Sequence, residues 1–208
     1  MLEQGETRMF ETSVDSKQLI QRIADYYQRL TNTICNLNLT SVENAANLIK
    51  QAWLGGHQII CFGNGGSALT AQHFMTDWNK CIFLQTGKQF YGRCLTENMG
   101  LVTAYSNDVS YQDIFLEQLK TLMRPNDLVI GISGSGNSEN VLRAIEYANQ
   151  QNNMTLGLCG YDGGKLKKLA KHLVWIPVND MQLSEDLHFI FGHVIMRSLC
   201  EEYIEKIG

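Results

Sequence analysis

The chain has 208 residues, 44% hydrophobic and 18% charged, enough to build a core that needs no disulfide or metal to stand. A formal net charge of −4, from 17 Lys and Arg against 21 Asp and Glu, argues against nucleic acid or an anionic membrane as partner. The six cysteines are scattered with no Cys-x-x-Cys pair, and neither a signal peptide nor an 18-residue apolar run is present, so a cytoplasmic protein with free thiols is expected.

Residues 1–12 are polar and are expected to be flexible. Leu19, Ile20, Ile23, Tyr26, Tyr27, Leu30 and Ile34 recur at helical spacing and predict a helix over about 13–37. A second helix is predicted from Ser41, read as its N-cap, to Gly55-Gly56. Strands and helices then alternate. Strands are predicted at 58–62, 90–95, 127–132, 154–159 and 172–177, and helices at 67–79, 97–106, 111–123, 138–150, 163–170 and about 182–206. Strands separated by helices require crossover connections, and therefore a parallel sheet covered on both faces. The spare apolar surface of the two leading helices, 13–54, predicts oligomerisation.

Two loops stand out. Gly63-Asn64-Gly65-Gly66-Ser67 follows the first strand, and Ser133-Gly134-Ser135-Gly136-Asn137-Ser138 follows the third. Glycine lets the backbone approach an anion, a helix N-terminus offers unpaired N–H groups, and serine adds neutral donors, so a phosphate is the expected occupant. Neither loop fits Gly-x-x-x-x-Gly-Lys-Ser/Thr or the three-glycine dinucleotide spacing. Lys165, Lys167, Lys168 and Lys171, the densest basic group, read as the solvated face of a short helix.

These segments resemble the SIS (sugar isomerase) family, and within it the phosphoheptose isomerase branch. The likeness rests on the first loop with His73-Phe74, on Ser106-Asn107-Asp108 with Asp113-Ile114-Phe115, on 131–138, on Gly160-Tyr161-Asp162-Gly163-Gly164-Lys165, and on Glu185, His188 and His193 near the end. The resemblance implies a flavodoxin-like three-layer α/β sandwich with a central parallel sheet, forming a homotetramer with active sites at subunit interfaces. It implies isomerisation of sedoheptulose 7-phosphate to D-glycero-D-manno-heptose 7-phosphate for cell-surface heptose. Ser67, Ser133, Ser135 and Ser138 would then hold the phosphate, with Asn64, Gly65, Gly134, Asp108 and Glu185 along the substrate. The family position matching Gly134 is usually threonine.

The resemblance further implies a zinc ion on His73, Asp77, Glu185 and His193, and no organic cofactor. It makes Asp77 the base and His193 the acid; His188, five residues from His193 and three from Glu185, is an alternative acid by its position. The family has Glu at the position of Asp77 and Gln at that of Glu185. Alternatives in the same fold are a non-catalytic protein that binds a phosphosugar or a replication initiator, and an isomerase of another sugar phosphate.

Overall fold

The computed structural model describes residues 16–207; the segment expected to be flexible, 1–12, lies outside the described residues. The chain divides into two compact units, Met1–Cys35 and Asn36–Gly208. The first contains helix α1, Ser16–Cys35. Gln21 pairs with Asp25 and Gln28 with Asn32 one turn apart along it, while Leu19, Ile20, Ile23, Tyr27 and Ile34 are exposed.

In the second unit α2 (Leu39–Leu54) leads into β1 (Gln58–Gly63) and α3 (Gly66–Asp77). A π-helical stretch, Trp78–Ile82, and a short α4 (Phe83–Thr86) carry the chain to β2 (Tyr91–Cys94). Next come α5 (Met99–Asp108), a 3-10 turn at Tyr111–Asp113, α6 (Ile114–Leu122), β3 (Leu128–Ser133) and α7 (Glu139–Gln150). The unit closes with β4 (Met154–Cys159), α8 (Leu166–Leu169), β5 (His172–Trp175) and α9 (Met181–Ile207).

The five strands form one parallel sheet in the order β2-β1-β3-β4-β5. Both faces are covered, so β1 and β3 read as near-continuous apolar runs rather than alternating ones. Ile60 and Phe62 join a core with Phe115 and Leu119 of α6, Val141 and Ile145 of α7 and Leu166 of α8. The opposite layer holds α2, α3 and α9. This is the expected three-layer sandwich. The chain leaves β1 for one edge of the sheet and returns at β3 to the other side, so the order reverses between β1 and β3, where such sheets bind ligands at their carboxyl ends. The two Gly-Ser loops flank that crevice. No helix among the described residues is long and apolar enough to cross a membrane.

Three local expectations change. The N-cap of α2 is Asn38, whose side chain accepts from the Ser41 N–H at 3.2 Å, so the helix starts two residues before the expected cap. The helix expected to end at 79 continues to Thr86, because Trp78 and Ile82 are buried and the Asn79 amide exchanges hydrogen bonds with the Gly92 backbone on edge strand β2, at 2.8 and 3.1 Å. The helix expected over 163–170 shrinks to Leu166–Leu169, since Gly163 and Gly164 both have positive φ.

Candidate active site

The apolar strand β1 ends at Gly63, and Gly65, with φ 53°, turns the chain into α3. Asn64 stays in the turn. Its amide pairs reciprocally with that of Asn140 on α7, at 2.8 and 3.0 Å, and its oxygen also accepts from the Tyr111 hydroxyl at 2.8 Å. The loop after β1 is thereby tied to the helix after β3. Ser67 is buried at the start of α3.

After β3, Ser133 and Ser138 bring their hydroxyl oxygens within 3.0 Å of each other, and the Ser135 hydroxyl accepts from the Asn137 N–H. Ser138 is the N-cap of α7 yet makes no side-chain cap bond, and neither does Gly65 at α3. By contrast α2 and α5 are capped by Asn38 and Asn98. The helices behind the two Gly-Ser loops thus present first-turn N–H groups that no N-cap side chain takes, beside hydroxyl donors, which suits a phosphate.

The third component comes from α3 and α9. His73 and Asp77, one turn apart, face His193 of α9. The two Nε2 atoms are 2.8 Å apart, and Asp77 Oδ2 lies 3.3 Å from His73 Nε2 and 3.4 Å from that of His193. An Nε2···Nε2 bond requires one ring to donate and the other to accept. Phe189, one turn before His193, stacks flat on His73, with centroids 4.3 Å apart, and meets His193 edge-on.

One ligand atom from each of His73, Asp77 and His193 lies within 4.8 Å of the other two. Two imidazoles and a carboxylate with a fourth position open suit a catalytic zinc. Tetrahedral coordination at about 2.0–2.1 Å per bond needs the two nitrogens roughly 3.3 Å apart, so the rings must part by about half an ångström to hold one. The residues fit the ion.

Glu185, expected as a fourth ligand, is not in this group. It stands two turns before His193, and its carboxylate lies over the start of α3: a β-carbon on Gly66 would fall 2.5 Å from either oxygen. The positive end of that helix accounts for the placement. Asp108, at the end of α5, is exposed, with its carboxylate held by the Asn107 side chain at 2.8 Å; no hydrogen bond among the described residues ties it to either loop. Gly134 is buried, and the Met181 thioether sits where its β-carbon would be, with Sδ at 2.4 Å. His188 is fully buried, neither ring nitrogen makes a hydrogen bond of good geometry, and burial pushes its pKa down to about 4, which a backbone approach near Cys159 offsets only in part. It cannot serve as the acid. A cavity of about 490 Å³ lies elsewhere, at the amino ends of β1 and β2, lined by Gln58, Tyr91, Arg93 and Arg124; chemistry, not room, locates the site.

The pattern of the SIS domain matches residues 23–160. The probable phosphoheptose isomerase of Thermoplasma acidophilum is 34% identical over 168 residues, covering 81% of this chain and 92% of that one. The phosphoheptose isomerase of Aliarcobacter butzleri is 35% identical over 161 residues, covering 77% and 85%. The chain belongs to the SIS domain family, in its phosphoheptose isomerase branch. Within this family, the structure of a phosphoheptose isomerase from Neisseria gonorrhoeae superposes with a TM-score of 0.80 at 28% identity, over 87% of this chain and 98% of that one. Asn140, Tyr111, Phe189 and Met181 went unnoticed in the sequence. Only Phe189, one helical turn before His193, carries a local signal.

Proposed function

We propose that the protein is a sugar-phosphate isomerase that interconverts sedoheptulose 7-phosphate and D-glycero-D-manno-heptose 7-phosphate, working as a homotetramer and supplying heptose for cell-surface glycans. The observation that carries this is the His73–Asp77–His193 cluster in a chain whose Gly-Ser loops flank the switch of strand order and whose relatives are named phosphoheptose isomerases.

Ser133, Ser135, Ser138 and the first turn of α7 take the phosphate, with Gly65 and Ser67 opposite. Isomerisation removes a proton from C1 of the ketose; the C1–H electron pair forms the C1=C2 bond as the carbonyl pair moves to O2, which accepts a proton. Return of a proton to C2, with loss of the O1 proton, completes the aldose. Asp77 is the base: its Oδ2 faces the two imidazoles, leaving Oδ1 for the substrate proton. In the metal-free protein His193 is the acid, the proton of the 2.8 Å Nε2···Nε2 bond being the one available to O2. Zinc, when held by His73, Asp77 and His193, would polarise the carbonyl oxygen.

The test is incubation of the purified protein with sedoheptulose 7-phosphate, with and without zinc, following the aldose by NMR. Asp77→Asn should lower kcat by about 10²–10⁴-fold while phosphosugar binding persists. Binding without turnover in the natural protein, both with and without zinc, would replace this reading with that of a non-catalytic phosphosugar-binding protein.

A further inference from the structure

His73 and Asp77 stand on α3 and His193 on α9, so the triad exists only while these helices keep one spacing and one register. Beside the triad their contact includes a plate of two rings against one glycine. The Phe74 ring occupies the place of a Gly192 β-carbon, whose ideal position falls 2.2 Å from Cε1 and 2.3 Å from Cδ1. Phe74 is buried and stacks on fully buried Trp78, with centroids 4.9 Å apart and planes 17° from parallel. The Trp78 indole N–H donates to the Gly192 carbonyl at 3.0 Å. Phe74 and Trp78 each follow a triad residue in sequence, and Gly192 precedes the third.

Gly192 lies inside α9 and is not among the positive-φ residues, so its backbone does not call for glycine. A glycine inside a helix weakens it relative to alanine. The close approach of Phe74 is what requires it. We propose that Gly192 is a positioning residue for the triad: it lets the Phe74–Trp78 plate reach the α9 backbone and so fixes His193 against His73 and Asp77. The proposal rests on the functional reading of that triad given above.

Gly192→Ala forces the β-carbon and ring apart by on the order of 1 Å to reach ordinary contact, and a displacement of that size can cost about a hundredfold in rate. Expected in this variant are a zinc affinity at least tenfold weaker by calorimetry and a kcat about a hundredfold lower. KM for the phosphosugar should change far less than kcat, since Ser133, Ser135 and Ser138 lie on other elements and Ser67 stands two turns of α3 away from Phe74. Phe74→Leu combined with Gly192→Ala opens room for the methyl and should restore most of both quantities.

The metal-free protein gives a reading independent of zinc and turnover. The imidazole nitrogen chemical shifts of His73 and His193 report their hydrogen bond; they should change in Gly192→Ala and return toward the natural values in the double variant. Natural shifts in Gly192→Ala, or changed shifts that Phe74→Leu fails to reverse, would overturn the proposal. Should Gly192→Ala not fold, Trp78→Phe keeps the stack and removes the bond to the Gly192 carbonyl; unchanged His193 shifts there overturn it equally. A natural protein without isomerase activity whose shifts respond as described counts against the functional reading and not against the positioning role.

Discussion

At the scale of single residues, the loop after β3, proposed to take the phosphate, has Gly134 where the family resemblance implies threonine, and a neighbour accounts for the glycine. Gly134 is not among the positive-φ residues, so its conformation admits any side chain; what fills the space is the Met181 thioether. A thioether is flexible and can swing aside. Gly134→Thr combined with Met181→Ala clears the space and adds one hydroxyl to the loop. If the phosphate sits there, one more hydrogen bond to a charged group is worth about 1.5 kcal/mol, near tenfold in affinity. Calorimetric titration with sedoheptulose 7-phosphate checks this, and equal affinity in the double variant and the natural protein would place the phosphate elsewhere. In the same assay Ser135→Ala with Ser138→Ala should weaken binding by more than tenfold while the melting curve hardly moves, because both side chains are partly solvent-exposed.

At the scale of elements, α9 organises the site. Met181, Ser184 and Glu185 lie at i, i+3 and i+4, on one face of its first turns, and each sits where a loop glycine lacks a β-carbon: Gly134, Gly160 and Gly66 in turn. His188 continues that face inward and is buried. Its ordinary pKa is near 6.5, and burial pushes it down to about 4 in the folded protein. The unfolded chain therefore binds this proton more readily than the native one. Stability from His188 is complete above about pH 6.5 and is lost as pH falls toward 4, by up to about 3 kcal/mol. Urea unfolding of the natural protein and of His188→Leu at pH 7 and pH 4.5 should show a smaller acid loss in the variant. An equal loss in both would mean that His188 gains a partner on protonation.

The same elements show what the sequence could reveal. The two Gly-Ser loops were readable because strand, turn and helix signals sit within a dozen consecutive residues. His73 and Asp77 share a face by spacing alone. The place of Glu185 over Gly66 was not readable, nor was the continuation of α3 through Trp78–Ile82. Those depend on partners far away in the chain: Trp78 bonds a residue 114 positions on, and Asn79 grips a strand that has not yet formed when the helix is read locally. Helical periodicity gives the direction of a side chain but not which neighbour waits there.

At the scale of the whole molecule, a parallel sheet covered on both faces follows from crossover rules once the alternation of strands and helices is seen. The order β2-β1-β3-β4-β5 is set by long-range pairing and was expected only through the family resemblance, which is why the layers were legible while the site's fine geometry was not. Association belongs to this scale too. In α1 the side chains of Leu19, Ile20, Ile23, Tyr27 and Ile34 are exposed, and in the second unit so are Leu39, Leu69, Leu84 and Met99. Apolar surface on this scale is costly to leave in water, and burying it between copies at about 25 cal/mol per Å² is the ordinary remedy. Light scattering at micromolar concentration should therefore report more than the 23.5 kDa chain mass, and about four times that mass for the proposed homotetramer. Replacing Ile20, Ile23 and Tyr27 together by Ser removes much of the α1 stripe and alters no residue of the second unit, so the variant should lose mass in solution and keep its circular dichroism. If it also loses turnover while retaining zinc, subunit contacts complete the site; a smaller species that remains fully active would confine the chemistry to one chain and remove the tetramer from the mechanism.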